Sequence, residues 1–387
     1  MAMDSKECSL PLELLEEILS RVQTKSLLRL KLTCKQWLAL FKDKRFVYKH
    51  LALLQGHIIR SNHIHMVKIF NPVTGAISSF SLPQEFEVHS EIYTMIHCDG
   101  LMLCILEVGS VALWNPCLQE VRWIKPLCST YPTCHCYGIG YDGSSRDGYK
   151  FLRFVNGMFT INKYSNTGSY KPEAYIYDFK LDSWKVLEVS LDWHVVSTCK
   201  GVSLNGNMYW VAKWNRKPDM FIQCFNFCTE SFDPLCALPF EYGADDVVDL
   251  SVAFRGSNLS LLHQSKETTK IEVWVINNVK KNGVSTSSWT KLFSATKPDL
   301  PVFSACENIA GPVHFIDKNN RIVLCCEEPV ADERNVAVNV YLIGEAGEII
   351  RQAEIERHQR GFSWPFISGY AYLPSLVPVP TSEDKTE

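Results

Sequence analysis

Along residues 10–22 the apolar positions recur with a helical period, and they cover more of the helix than one buried stripe needs. At about 100° per residue, Leu10, Leu14, Ile18, Val22, Leu15, Leu19 and Leu12 spread over roughly 200° of the circumference. Glu13, Glu16 and Ser20 take the remaining arc. An ordinary surface helix shows an apolar stripe only a little wider than about 100°. The pattern predicts three further short helices. Thr24 is placed to cap "KSLLRLKL", Thr33 to cap "CKQWLALFKD", and "RFVYKHLALL" (45–54) follows. Pro11 suits the first turn of the first helix, where no amide hydrogen is lost.

From about residue 63 the period changes to short alternating runs rich in Val, Ile, Phe, Tyr and Trp. One hairpin type recurs, as in "VALWNPCLQEVRWI" (111–124) and "AYIYDFKLDSWKVLEV" (174–189). Its second strand is expected to begin near Ile77, Val121, Trp184, Phe232, Trp289 and Ile349, at intervals of 44 to 63 residues. A glycine-turned hairpin lies between, as in "GVSLNGNMYWVAKW" (201–214). Two hairpins per unit make four strands, the blade of a β-propeller, and six such units are expected. Late strands in "FISGYAYLPSL" (366–376) would complete the first blade. The competing architecture is a large β-sandwich of stacked sheets. The expected class is therefore α plus all-β. A helical unit occupies residues 1–54 (core 8–50), a linker 55–62, the β domain 63–377 and a disordered tail 378–387.

Composition narrows the function classes. A net charge of −3 gives no electrostatic case for nucleic acid or an anionic membrane. No apolar run reaches the length of a membrane span, and with no apolar core of the secretory kind near residue 1, no secretory leader is expected. The 15 cysteines read as reduced, buried thiols in the nucleus or cytoplasm. "TCHCYG" (133–138) and "LCCEE" (324–328) lack zinc spacing, and "HIH" (63–65) lacks further ligands. No G-x-S-x-G, H-E-x-x-H or phosphate-cradling loop is present, so no catalytic residue, metal or cofactor is expected. "EYGADDVVDL" (241–250) reads as a solvated loop between blades, with an acidic rim as the alternative.

A unit of about 50 residues is near the lower limit for its own core. It cannot hide Leu12, Leu14, Leu15, Ile18, Leu19, Val22, Leu27, Leu28, Leu30, Leu32, Trp37, Leu38, Leu40 and Phe41 from water. The surplus marks either a protein interface or packing against the chain's own β domain.

"LPLELLEEILSRVQTKSLLRLKLTCKQWLALFKDKRFVYKHL" resembles an F-box. The likeness runs through Leu10-Pro11, Leu14, Glu17-Ile18-Leu19, Arg21-Val22, Ser26-Leu27, Leu30, Cys34-Lys35, Trp37 and Phe46. Gln23 replaces a frequent proline, and Lys31-Leu32-Thr33 is an unusual lead-in to Cys34. The remainder resembles the F-box-associated domain of plant F-box proteins, related to kelch-type receptors. It does so through "CDGLMLC" (98–104), "LWNPCLQEVRWI" (113–124), "GIGYDGSSRDGYKFLRF" (138–154), "YDFKLDSWKVL" (177–187), "GVSLNGNMYWVA" (201–212) and "YLPSLVPV" (372–379).

The resemblance implies a non-catalytic substrate receptor of an SCF-type ubiquitin ligase. Its partners would be a Skp-type adaptor, then a cullin and a RING protein, and a protein substrate held by the β domain. The adaptor contact is expected from Leu10, Pro11, Leu14, Ile18, Leu19, Val22, Leu27, Leu30, Lys35 and Trp37, some of which must fill the helical core instead. Arg21 is a further charged candidate. Trp193, Trp214 and Trp364 lie at strand ends or in loops and are candidates for the substrate face. Two other functions stay open. One is an adaptor-bound scaffold acting outside a ligase; the other is a propeller enzyme or sugar-binding module, which needs a ring of His, Asp or Glu at one propeller mouth.

Overall fold

The computed structural model describes residues 11–61, 66–87, 92–125, 127, 135–143, 146–156, 173–196, 200–243, 245–253, 258–281, 284–296, 300–303, 311–330, 335–359 and 369–382. Four helices open it: α1 (Leu12–Leu19), α2 (Thr24–Leu30), α3 (Lys35–Leu40) and α4 (Lys44–Leu53). The caps differ from expectation. The Thr24 hydroxyl donates to the Pro374 carbonyl at 2.6 Å and caps nothing. Thr33 donates back to Leu30, and the Cys34 sulfur accepts the Trp37 amide at the start of α3. Thr24 is already the first residue of α2, with Gln23 in the cap position, and Thr33 precedes the α3 cap residue Cys34 by one. Asp43 caps α4, accepting from the Arg45 amide at 2.7 Å.

The strands form six antiparallel four-stranded blades, innermost strand first in blades 2, 3, 5 and 6. Blade 2 is Ile92–Cys98, Leu101–Leu106, Val111–Asn115 and Glu120–Ile124. Blade 3 is His135–Asp142, Gly148–Val155, Glu173–Asp178 and Ser183–Glu188. In blade 4 the inner position is split into Trp193–Val195 and Val202–Leu204, both paired with Asn207–Trp214; Met220–Asn226 and Ser231–Ala237 follow. Blade 5 is Val247–Ala253, Asn258–Gln264, Ile271–Lys281 and Val284–Ala295. Blade 6 is Val313–Ile316, Ile322–Pro329, Asn335–Ile343 and Ile349–Gln359. Blades 5 and 6 share one parallel bridge, Ala253 to Ile316. The inner strands neighbour one another in a closed cycle of six. That closure makes the domain a propeller and excludes the stacked-sheet alternative.

Blade 1 joins the two ends of the β domain. Tyr370–Tyr372 pairs antiparallel with His57–Ser61, beside Met66–Phe70 and Ile77–Ser81. The expected linker at 55–62 therefore contains a strand. Its Ile58 and Ile59 are buried and Arg60 is paired with Glu327, so those residues belong to the β domain. Outer strands begin within one residue of expectation in five blades. In blade 5 the strand starts at Val284 rather than Trp289, because its outer hairpin runs on beyond the last inner pairing, Ser260 with Val275.

After Tyr372 the chain becomes a strap across blade 2. His97 Nε2 accepts the amides of Gly100 and Leu373. Ser375 donates to the Asp99 carbonyl, and Asn115 donates to the carbonyls of Ser375 and Val377. The fit leaves no room at Gly100, where a Cβ would lie 2.1 Å from Ser375 Oγ. The first residues of the expected tail are held too. Val379 is buried, its amide donates to Glu120, and Arg122 donates to the Pro380 carbonyl. Residues 383–387 lie outside the described residues.

The helical unit rests on the propeller face that carries the turns after the inner strands. Tyr48 donates to the Arg146 carbonyl at 3.3 Å, and the Arg146 guanidinium lies over the rings of Tyr48 and Tyr141 while pairing with Asp99 at 3.1 Å. Lys44 pairs with Asp147, and Lys318 donates to the Ala52 carbonyl. Leu19, Leu27, Phe41, Phe46, Val47 and Leu51 are continuous with the apolar core of blades 2–4.

Two outcomes test this arrangement. Asn115→Ala strands buried carbonyls of the strap and is expected to cost about 2 kcal/mol or more, read as a lower melting temperature. Burial also holds the His97 imidazole down to about 3, as a neutral acceptor. Unfolded, it protonates near its ordinary value of 6.5. Its contribution to stability is therefore complete above that value and drains away as pH falls toward 3. The melting temperature should drop between pH 7 and pH 5, and less steeply in His97→Gln.

Candidate functional site

The surplus apolar arc of α1 divides between two environments. Leu15, Leu19 and Val22 turn inward on the core. Leu12, Leu14 and Ile18 stay 51%, 53% and 52% exposed, even with the helical unit seated on the propeller. Beyond α2, Leu32 is 82% exposed, and Leu38 on α3 adds a further open apolar side chain. With Leu53 at the end of α4, these side chains present apolar surface of the unit to solvent. Each forgoes part of the roughly 1.5–3 kcal/mol that full burial of such a side chain provides.

The expected contact residues separate accordingly. Pro11, Leu14, Ile18 and Lys35 are exposed; Val22, Leu30 and Trp37 are half-buried against the core. Leu19 and Leu27 are 4% and 0% exposed. They lie on the arc that meets α4 and the propeller, which removes them from the surface. Leu10 lies outside the described residues. Arg21 pairs with Glu17 at 2.7 Å along one exposed helix face. Sequence reasoning omitted Leu12, Leu32 and Leu38 from the contact set. Leu12 shared the visible arc. Leu32 follows the end of α2, where helical period no longer tells which way a side chain points.

On the opposite propeller face, Trp193 and Trp214 are cross-strand partners. Trp193 is 4% exposed and packs edge-on against Phe154 and Phe232, so it is core. Trp214 is half-buried, stacked on Phe221 at 4.3 Å. Trp364 and the "HIH" triplet lie outside the described residues, as does Cys134.

The acidic segment is largely absorbed by the fold. Asp246 accepts from His263, Gly243 and Lys266, and Asp245 pairs with Lys266. Asp249 accepts both the amide and Nδ1 of His314, at 3.0 and 2.7 Å, and His314 Nε2 lies 2.9 Å from Ser260 Oγ. These three have the connectivity of a hydrolytic triad. Ser260 and His314 are 0% exposed, however, so the hydroxyl meets no substrate. Asp249 lies on the inner strand of blade 5 and His314 on that of blade 6, so the chain of bonds clasps one blade to the next. The buried thiols are inert: burial alone pushes Cys136 up to about 12.

A small helical unit with an exposed apolar face, carried by a six-bladed propeller, makes a protein of two modules. The family comparisons agree with that division. Residues 8–49 match the F-box domain, and residues 50–379 match the F-box associated beta propeller domain. The chain belongs to the F-box proteins with a C-terminal F-box associated β-propeller domain. It is 72% identical over 387 residues to the F-box/WD-40 repeat-containing protein 1 of Arabidopsis thaliana, covering 100% of this chain and 93% of that one. It is 39% identical over 388 residues to another Arabidopsis thaliana F-box protein, covering 97% and 100%. Among solved structures, the RRP9 WD40 repeats match at 8% identity and a TM-score of 0.39, over 77% of each chain.

The clasp gives a prediction. Asp249→Ala leaves two buried donors of His314 unpaired and should destabilise the protein by about 3 kcal/mol. Ser260→Ala leaves one buried atom, His314 Nε2, unpaired and should cost less, about 1–2 kcal/mol. Denaturant titration of the two variants measures the difference.

Proposed function

We propose that this protein is the substrate-recognition subunit of an SCF-type ubiquitin ligase. The observation that carries the reading is the exposure of Leu12, Leu14 and Ile18 on a helix otherwise packed home. Pro11, Lys35, Leu32 and Leu38 extend the same surface. A Skp-type adaptor seats there, with Val22, Leu30 and Trp37 behind it as support, and connects the chain to a cullin and a RING protein. The propeller holds a protein substrate on the face away from the helices, where Trp214 lies. Catalysis is by proximity: the substrate is kept at high effective concentration beside the ubiquitin thioester. This chain then supplies binding and orientation, and no nucleophile or base.

Adaptor binding by wild type beside Leu14→Ala/Ile18→Ala tests the reading. Removing two large side chains from an interface centre should weaken binding at least tenfold, with the melting temperature little changed because both are already half-exposed. A folded wild type that binds no adaptor, or a double variant that binds as well as wild type, refutes it.

A further inference from the structure

The apolar surface around Leu32 and Leu38 has a charged frame of one sign. Residues 24–42 contain Lys25, Arg29, Lys31, Lys35 and Lys42 and no Asp or Glu. Lys31 is half-buried and the other four are exposed. None of the five forms an ion pair among the described residues. The unit's other described cations are paired: Arg21 with Glu17, Lys49 with Glu16 and Glu17, Arg45 with Asp43, and Lys44 with Asp147. In the propeller Arg60 pairs with Glu327 and Glu356, Arg122 with Asp182 and Lys150 with Glu230, whereas exposed Arg216 and Lys217 form no ion pair among the described residues. The five cations between Thr24 and Lys42 are therefore the unpaired group of the described helical unit, in a chain of net charge −3. Lys25 and Arg29 stand four apart on α2, a spacing at which like charges oppose the helix.

A cationic frame around an apolar centre complements an acidic frame around an apolar socket. We infer that the partner seated on Leu32 and Leu38 presents acidic groups around that socket, and that these five cations steer its approach. This rests on the proposed adaptor role and adds the chemistry of the adaptor's surface and the kinetic step that chemistry controls. A bare polyanion would match the charges but leave Leu32, 82% exposed, without a counterpart. A protein surface satisfies both.

Exposed charges act over about 10 Å at 0.1 M ionic strength and much less at higher salt. Their effect falls mainly on the association rate. The experiment measures association and dissociation rates for the full chain and a purified Skp-type adaptor between 0.05 and 0.5 M NaCl. Wild type should associate about tenfold more slowly at the high-salt end, with dissociation nearly constant. Lys25→Glu/Arg29→Glu/Lys35→Glu should slow association a further tenfold at low salt and flatten or reverse the salt dependence. The Gln triple variant should fall between, and it keeps the test valid if charge reversal impairs folding. Salt-independent association that is equal in all three proteins overturns the inference while leaving the adaptor role standing. Absence of wild-type binding overturns both. Binding to phosphatidylserine vesicles that blocks the adaptor and is lost in the triple variant overturns it in favour of a membrane.

Discussion

The architecture depends on one pairing, that of Tyr370–Tyr372 with His57–Ser61. It closes the ring of blades with strands nearly the whole chain apart. Loop-closure entropy opposes such a contact. The strap that follows reinforces it through His97, Asn115, Ser375 and Glu120. The same strap offers the Pro374 carbonyl to Thr24, so ring closure and the seating of the helical unit share a segment. Losing the seam would loosen both modules together.

Seating the helices on the propeller also settles which apolar side chains remain for a partner. The small unit merges Leu19, Leu27 and Phe46 with the core of blades 2–4, which a free-standing unit of that length could not bury as well. Leu12, Leu14, Ile18, Leu32 and Leu38 remain outside. The surplus apolar arc is therefore divided, one part packed on the chain's own propeller core and the other left in solvent. Arg146, held between Tyr48, Tyr141 and Asp99, keeps that division in place by fixing α4 to blade 3.

Polar clusters that suggest chemistry in a linear reading serve as joints once folded. Asp249 and Ser260, on one hairpin of blade 5, meet the distant His314 where blade 5 adjoins blade 6. No motif announces them, because strand order alone brings them together. Asp246 is likewise spent on His263 and two backbone amides. Buried polar groups of this kind must be satisfied, and pairing them across blades both meets that need and locks the ring.

The sequence by itself determined the element types, the change from helix to strand near residue 60 and the six four-stranded units. Each is encoded locally, in a period of 3.6 or 2 and in turn residues such as Asp99-Gly100 and Asn205-Gly206. Tertiary structure alone decided the rest. It made residues 57–61 a strand, joined Thr24 to Pro374, buried Trp193, and drew Leu19 and Leu27 inward while leaving Leu32 in solvent. Periodicity fixes where a side chain points on its own element. What it meets there depends on neighbours distant in the chain, and those are known only when the ring is closed.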